Sequence, residues 1–233
     1  MSEFLGNIKN FFLDALFSPV CVVCRKDIIS SNNLVCSSCI SKIKINNSFF
    51  CPICKAELPS KTCHIESPFL LGAASNYADP IVQKIIHSLK YRKIKGLANI
   101  VSEVLFDYLE NSKLDFKKFV VVPIPLHRQK KLSRGFNQSE EMAKVISKKF
   151  GVPLLPAIKR IKNNKPQANI REMEKRIENA KNCFALEEKI DIKGKNVILL
   201  DDVFTSGATV NEAVKILRSG GAKQIIVLVA AKA

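Results

Sequence analysis

Apolar residues recur along the chain with two different periods, and the switches between them mark out its elements. Phe4, Leu5, Ile8, Phe11, Phe12, Ala15 and Leu16 fall at helical spacing and predict a short amphipathic helix that Pro19 ends. From residue 21 to residue 66 no period is sustained, and cysteines punctuate the segment instead. The pattern changes at Phe69. A strand-like run reaches Tyr77, and Asp79-Pro80 opens a helix carrying Ile81, Ile85, Ile86 and Leu89 on one face. A second helix is predicted over 97–110, and Phe119 to Val122 reads as a buried strand ending in Pro123-Ile124-Pro125. Helices over 139–150 and 172–182 follow, then strands near 184–186 and over 196–200. A helix over 210–219, closed by Gly220-Gly221, leads to a last strand over 224–230. Strands that alternate with helices and are apolar on both faces predict an α/β fold, a mainly parallel sheet flanked by helices.

A chain of 233 residues with 47% hydrophobic content can bury one domain-sized core and carry a small appendage. The expected organisation is an amphipathic helix over 1–20, a cysteine-rich module over 21–66 and an α/β domain over 67–233. No run of eighteen apolar residues is present, so no membrane span is expected. The first twenty residues do not read as an export signal. Glu3 and Asp14 interrupt them, no basic start precedes them and no small-residue cleavage site follows. The first helix can lie peripherally on a membrane or pack on the protein's own body, and its nearly neutral polar face favours packing.

Charge narrows the choice of partners. The net charge is +16, and the stretch from Arg128 to Lys181 holds fifteen Lys/Arg against five Asp/Glu. That density suits an anionic partner: pyrophosphate, nucleic acid or an acidic lipid surface. Seven of the eight cysteines precede His64, mostly in Cys-x-x-Cys pairs. With no export signal read, metal is expected rather than disulfides, and with it a reducing, cytoplasmic setting. Cys21-x-x-Cys24 and Cys36-x-x-Cys39, eleven residues apart, suit one tetrahedral zinc, and Cys51-x-x-Cys54 is a third knuckle; a crossed arrangement, with alternate knuckles sharing an ion, stays open. Zinc here is structural, replacing the core that so short a segment cannot build. Cys183 reads as a small buried hydrophobe.

Residues 197–209, VILLDDVFTSGAT, carry the most specific chemistry. An apolar strand delivers Asp201 and Asp202 to its carboxyl end, where open parallel sheets bind ligands. Thr205, Ser206, Gly207, Ala208 and Thr209 then lead into a helix. Gly207 permits close backbone approach, the N–H groups of the helix start favour phosphate, and three hydroxyls add donors. Two adjacent carboxylates need donors of their own, which the neighbouring hydroxyls of a ribose supply. The segment therefore suits a ribose 5-phosphate. All thirteen positions resemble the signature of type I phosphoribosyltransferases. The resemblance implies that Asp201 and Asp202 carry catalysis by binding the ribose hydroxyls of phosphoribosyl pyrophosphate (PRPP), taken up with magnesium, while the loop cradles the 5-phosphate. Thr205 stands where purine-salvage members place an acidic residue against the base, so hypoxanthine or guanine is not the expected acceptor. Displacing pyrophosphate from the anomeric carbon needs positioning and charge stabilisation rather than a nucleophile, and no Ser/His/Asp or Cys/His arrangement is found.

Basic segments surround this motif. Pro123 to Gln138, PIPLHRQKKLSRGFNQ, follows a strand and should lie at the same end of the sheet as Asp201. Arg128 and Arg134, with Gly135 for close approach, can grip a pyrophosphate bidentately; the plain alternative is a solvated surface loop. The prolines stiffen the turn and leave a cis X–Pro bond open. The helix ending His87-Ser-Leu-Lys90-Tyr-Arg92 adds the cations Lys90 and Arg92. The polar stretch from Lys165 to Asn179 reads either as a lid or as a helix that never touches ligand.

Together these segments and the cysteine-rich amino end resemble, over nearly the whole chain, the ComF (ComFC-type) competence proteins of naturally transformable bacteria. The resemblance implies a type I phosphoribosyltransferase fold behind an N-terminal zinc ribbon. It also implies work on the cytoplasmic side of the inner membrane, in the passage of incoming single-stranded DNA, beside a competence helicase and other DNA-uptake proteins. Members close a second zinc site with a fourth cysteine pair. Here Ser60 stands at the first position of that pair, leaving Cys63 and His64 to complete the set with Cys51 and Cys54. Three readings stay open: an active phosphoribosyltransferase with an unassigned acceptor, a protein holding PRPP as an effector, and an adaptor joining uptake proteins to DNA. The intact acid pair, loop and basic turn favour the first two.

Overall fold

The computed structural model describes residues 19–28, 33–58, 64, 67–163 and 173–233, without the side chains of 173 and 175–177. The helix expected at the amino end, Ser60, Cys63 and residues 164–172 lie outside the described residues. The helices are α1 (Ser37–Ile40), α2 (Pro80–Tyr91), α3 (Leu97–Asn111), α4 (Arg128–Arg134), α5 (Gln138–Phe150), α6 (Met173–Ala180) and α7 (Ala208–Ser219). The strands are β1 (Phe49–Phe50), β2 (Glu57–Leu58), β3 (Leu70–Asn76), β4 (Phe119–Pro123), β5 (Ile158–Arg160), β6 (Phe184–Leu186), β7 (Asn196–Phe204) and β8 (Gln224–Lys232).

A run apolar at every position can be satisfied only as a strand covered on both faces. β7 and β8 hold such runs, Val197–Leu200 and Ile225–Ala231, and lie side by side within a six-stranded sheet of order β2-β1-β3-β8-β7-β4. β3, β8, β7 and β4 run parallel, in register Leu199↔Val227 and Val122↔Leu199. Alternation divides their side chains between two cores. Ile198, Leu200, Ile226 and Leu228 meet the apolar faces of α2, α3 and α5. Val197, Leu199, Ile225 and Val227 meet α7 and residues of the separate antiparallel ribbon β5–β6.

The cysteine segment is built into this sheet rather than hung from it. Phe49 and Phe50 of β1 pair antiparallel with Gly72 and Leu71 of β3, and β2 closes the hairpin. Two knuckles there share one backbone pattern. The N–H of Arg25 donates to Cys21 O and that of Cys21 to Lys26 O; Lys55, Cys51 and Ala56 repeat it. Arg25 and Lys55 both take positive φ at the same point of the turn.

Besides the short α1, β1 and β2 of the cysteine segment, three elements depart from the sequence expectation. The basic turn is a helix, α4, and β5 is an additional short strand. β7 continues through the acids to Phe204, so Asp201 and Asp202 lie within the strand rather than after it. Every described peptide bond is trans, which removes the cis X–Pro alternative.

Candidate functional site

Parallel register sets the site. Pro123 of β4 pairs with Leu200 of β7, so the Pro-Ile-Pro turn leaves the sheet beside Asp201. Tyr77, just beyond β3, lies at the same carboxyl end. The space between these ends is a cleft of about 880 Å³, lined by Asp201, Asp202, Thr205, Gly207, Ala208 and Thr209 on one side. Lys90, Lys93, Lys130, Arg134 and Arg160 line it elsewhere.

A regular strand sends consecutive side chains to opposite faces. That alternation lapses across the acid pair: Val203 packs with the same cluster as Leu200, and Phe204 with the opposite one. Both carboxylates therefore reach the cleft. Lys90 Nζ sits 2.7 Å from Asp202 Oδ1. Ser139 donates its hydroxyl to Asp201 Oδ1 at 3.0 Å, and the Asp202 N–H donates to the same oxygen at 2.9 Å. Asp202 is 3% exposed, and its Oδ2 is buried with no hydrogen-bond partner among the described residues. A buried carboxylate oxygen without a donor is costly, and one on a residue that lines a cleft marks where a ligand donor belongs.

The electrostatics follow from burial and neighbours. Burial and then the Asp202 carboxylate push Asp201 up to about 7, against the opposing pull of Lys90 and its two donors. Burial works to lower Lys90, but the Asp202 carboxylate outweighs it and holds the ammonium above its ordinary value. Across the cleft, burial together with the guanidiniums of Arg160 and Arg134 lowers Lys130. Cations crowded in this way are relieved by a bound anion.

The loop is shaped for close approach. Gly207 has φ +75°, and a Cβ there would lie 2.8 Å from the Phe204 ring, so both conformation and space require glycine. It caps α7, whose first residues Ala208 and Thr209 line the cleft, and Ser206 Oγ accepts from the Ala208 N–H at 3.4 Å.

Not every residue expected at the site lines the cleft. Arg128 and Arg92 are exposed and, like Ser206, are not among the lining residues. Their places are taken by Lys130 and Lys93. The reason is helical geometry: within α4, Lys130 and Arg134 stand one turn apart on one face, whereas Arg128 points elsewhere. Arg92 is the C-cap of α2, and the positive φ of Lys93 turns the chain back to the cleft. Reading Arg128–Arg134 as a helix would have found Lys130. Ser139 and Arg160 had no local signal.

The metal donors also gather. Cys21, Cys24, Cys36 and Cys39 place their sulfurs within 4.8 Å of one another, with Cys24 and Cys36 3.7 Å apart and Cys21 and Cys39 4.0 Å apart. A tetrahedral zinc with four 2.3 Å bonds needs sulfurs about 3.8 Å apart. Burial opposes ionisation of Cys21, but the backbone donors of Cys24, Cys36 and Val23 bring it down to about 6. Burial and the neighbouring sulfurs push Cys39 up to about 12. Four thiolates this close need a cation, and the set fits zinc. Cys51, Cys54 and His64 form a second group, with Cys51 Sγ 3.2 Å from His64 Nδ1. The donor chemistry is that of structural zinc.

Comparison with known proteins agrees with this geometry. The family profile described as Phosphoribosyl transferase domain matches residues 88–233, and that described as Double zinc ribbon domain matches residues 12–66. Competence protein F of Haemophilus influenzae is 28% identical over 225 residues, which cover 90% of this chain and 95% of that one. Competence protein ComFC of Bacillus subtilis is 27% identical over 206 residues, 83% of this chain and 82% of the relative. DNA utilization protein YhgH of Escherichia coli is 27% identical over 217 residues, 88% and 93%. The chain thus belongs to the phosphoribosyltransferase domain family, as a ComF-type member in which that domain follows a double zinc ribbon.

Proposed function

We propose that this cleft binds PRPP with magnesium, and that the chain is a cytoplasmic phosphoribosyltransferase serving the uptake of single-stranded DNA. The observation that carries the reading is the buried Oδ2 of Asp202, without a partner among the described residues, on a residue that lines a cleft bounded by a phosphate loop and a cluster of cations. One ligand answers all three. Its ribose hydroxyls donate to the acid pair, its 5-phosphate takes the N–H groups and hydroxyls of Thr205 to Thr209, and its pyrophosphate faces the cations. Asp201 Oδ1 and Asp202 Oδ1 already accept from protein donors, so the remaining oxygens are the ones offered to the ribose.

Among the described lining residues only Asp201 and Asp202 are acidic, so magnesium would be held mainly through the ligand's own oxygens. When bound, the ion neutralises charge on the leaving pyrophosphate. The bond from the anomeric carbon to pyrophosphate breaks, the electron pair departs with pyrophosphate, and an acceptor nucleophile bonds to that carbon and loses a proton. Lys130, Arg134 and Arg160 stabilise the departing charge, and Asp201 and Asp202 hold the ribose while positive charge develops on it. The names of the relatives, two competence proteins and a DNA utilization protein, support a role in competence and DNA use. The zinc ribbon and the basic stretch offer contacts to DNA and to uptake proteins.

Pyrophosphate release from PRPP and magnesium, with and without single-stranded DNA, tests the reading. Release that saturates with PRPP supports a transferase. Binding without release under every acceptor tried supports an effector site, and no binding leaves an adaptor.

A further inference from the structure

Ser139 reaches the site from outside the signature segment. It stands in the first turn of α5, is 1% exposed, and donates its hydroxyl to Asp201 Oδ1 at 3.0 Å. Its backbone N–H is capped by Asn137 Oδ1 at 3.2 Å, and Asn137 Nδ2 donates to Ile124 O at 3.0 Å. Asn137 is itself buried. One buried turn of helix therefore joins the Pro-Ile-Pro turn to the ribose acids.

We propose that Ser139 is a positioning residue of the PRPP site, setting the plane and charge of the Asp201 carboxylate. The inference rests on the reading of the cleft given above. The torsion that turns an aspartate carboxylate is broad and two-fold, so packing alone does not choose which oxygen faces a ligand. Two donors on Oδ1, Ser139 Oγ and the Asp202 N–H, make that choice and leave Oδ2 for the ribose. Burial and the Asp202 charge both favour a protonated Asp201, and a protonated acid is a poorer acceptor for a hydroxyl. A hydroxyl donor to Oδ1 acts against both. Placing that donor on α5 also fixes the distance between the ribose acids and the cationic wall that begins at the Ile124 turn.

The test compares three ligands, each with magnesium, on the full zinc-loaded chain: PRPP, ribose 5-phosphate and inorganic pyrophosphate. Ser139→Ala should weaken PRPP and ribose 5-phosphate by roughly tenfold, the scale of a lost hydrogen bond to a charged group, while pyrophosphate affinity stays within twofold. Ser139→Cys, similar in size with a weak donor, should fall between the two. An unchanged thermal midpoint confirms that the variants are folded. Equal loss for all three ligands would mean a general scaffold role and overturn the proposal, as would no loss for any. If the parent protein fails to bind PRPP, the reading of the cleft falls instead, whatever Ser139→Ala does.

Discussion

Within the described part of the cysteine segment, the side chains at 0% exposure are Cys21 and Cys51; within β7 they are Val197, Leu199 and Leu200. The first region puts metal ligands where the second puts branched hydrocarbons. A segment of that length cannot remove enough apolar surface from water to offset its chain entropy, so sulfur and a cation take over the cohesion. The β7–β8 centre has no such shortage. The difference has a consequence for the site. The zinc segment still packs on the larger domain: Val23, Val35 and Ile43 meet α2 and α3, and Phe50 lies under Lys232, 4.4 Å from its ring centre. Lys232 in turn pairs with Phe204, whose ring borders Gly207.

Removing the metal should produce the largest effect. Stripping zinc with a strong chelator, or Cys39→Ala, should cost several kcal/mol and expose the amides of residues 19–58 to hydrogen exchange. Amides of β7 and β8 should stay protected under the same conditions. Simultaneous loss of both sets would show one cooperative unit and erase the contrast between the regions.

A cavity in the other region should act through hydrocarbon alone. Leu199→Ala, at a fully buried position between β4 and β8, should cost about 2–5 kcal/mol in urea unfolding. Zinc content of the folded variant, measured by mass spectrometry, should match the parent. Loss of zinc from that variant would mean that the two sources of cohesion are not separable.

The smallest effect lies at the junction of stability and function. Asp201 holds a proton to about 7 in the folded chain against an ordinary 3.8, because of burial and Asp202. Its raised value contributes stability that is full below about 4 and is lost as pH rises through about 7. Asp201→Asn keeps an oxygen for the Ser139 and Asp202 donors and removes the charge. Its melting temperature should exceed the parent's by a few degrees at pH 8, and the gap should narrow toward pH 5. A gap independent of pH would contradict the raised value.

The strands of the sheet were legible because full burial writes an apolar residue at nearly every position of Val197 to Leu200 and Ile225 to Val229. α4 was not legible, for a physical reason. Its sequence RQKKLSR has no buried residue, and its one large apolar side chain, Leu132, is exposed, so no period marks it. β1 and β2 are two residues each and are held by pairing to β3, a long-range contact without a local pattern. The same division runs through the cleft. Asp201, Asp202 and the loop to Thr209 are contiguous, so their chemistry is readable in one line of sequence. Lys130, Ser139 and Arg160 come to the cleft from three other elements, and only the folded chain brings them there.

Whether the acid pair holds the ligand is read from a calorimetric titration of the zinc-loaded protein with PRPP and magnesium, beside the Asp201→Asn/Asp202→Asn variant. The parent should bind saturably, and a variant that remains folded by circular dichroism should not bind at all. Undiminished affinity in that variant would place the ligand elsewhere and contradict the assignment of this cleft.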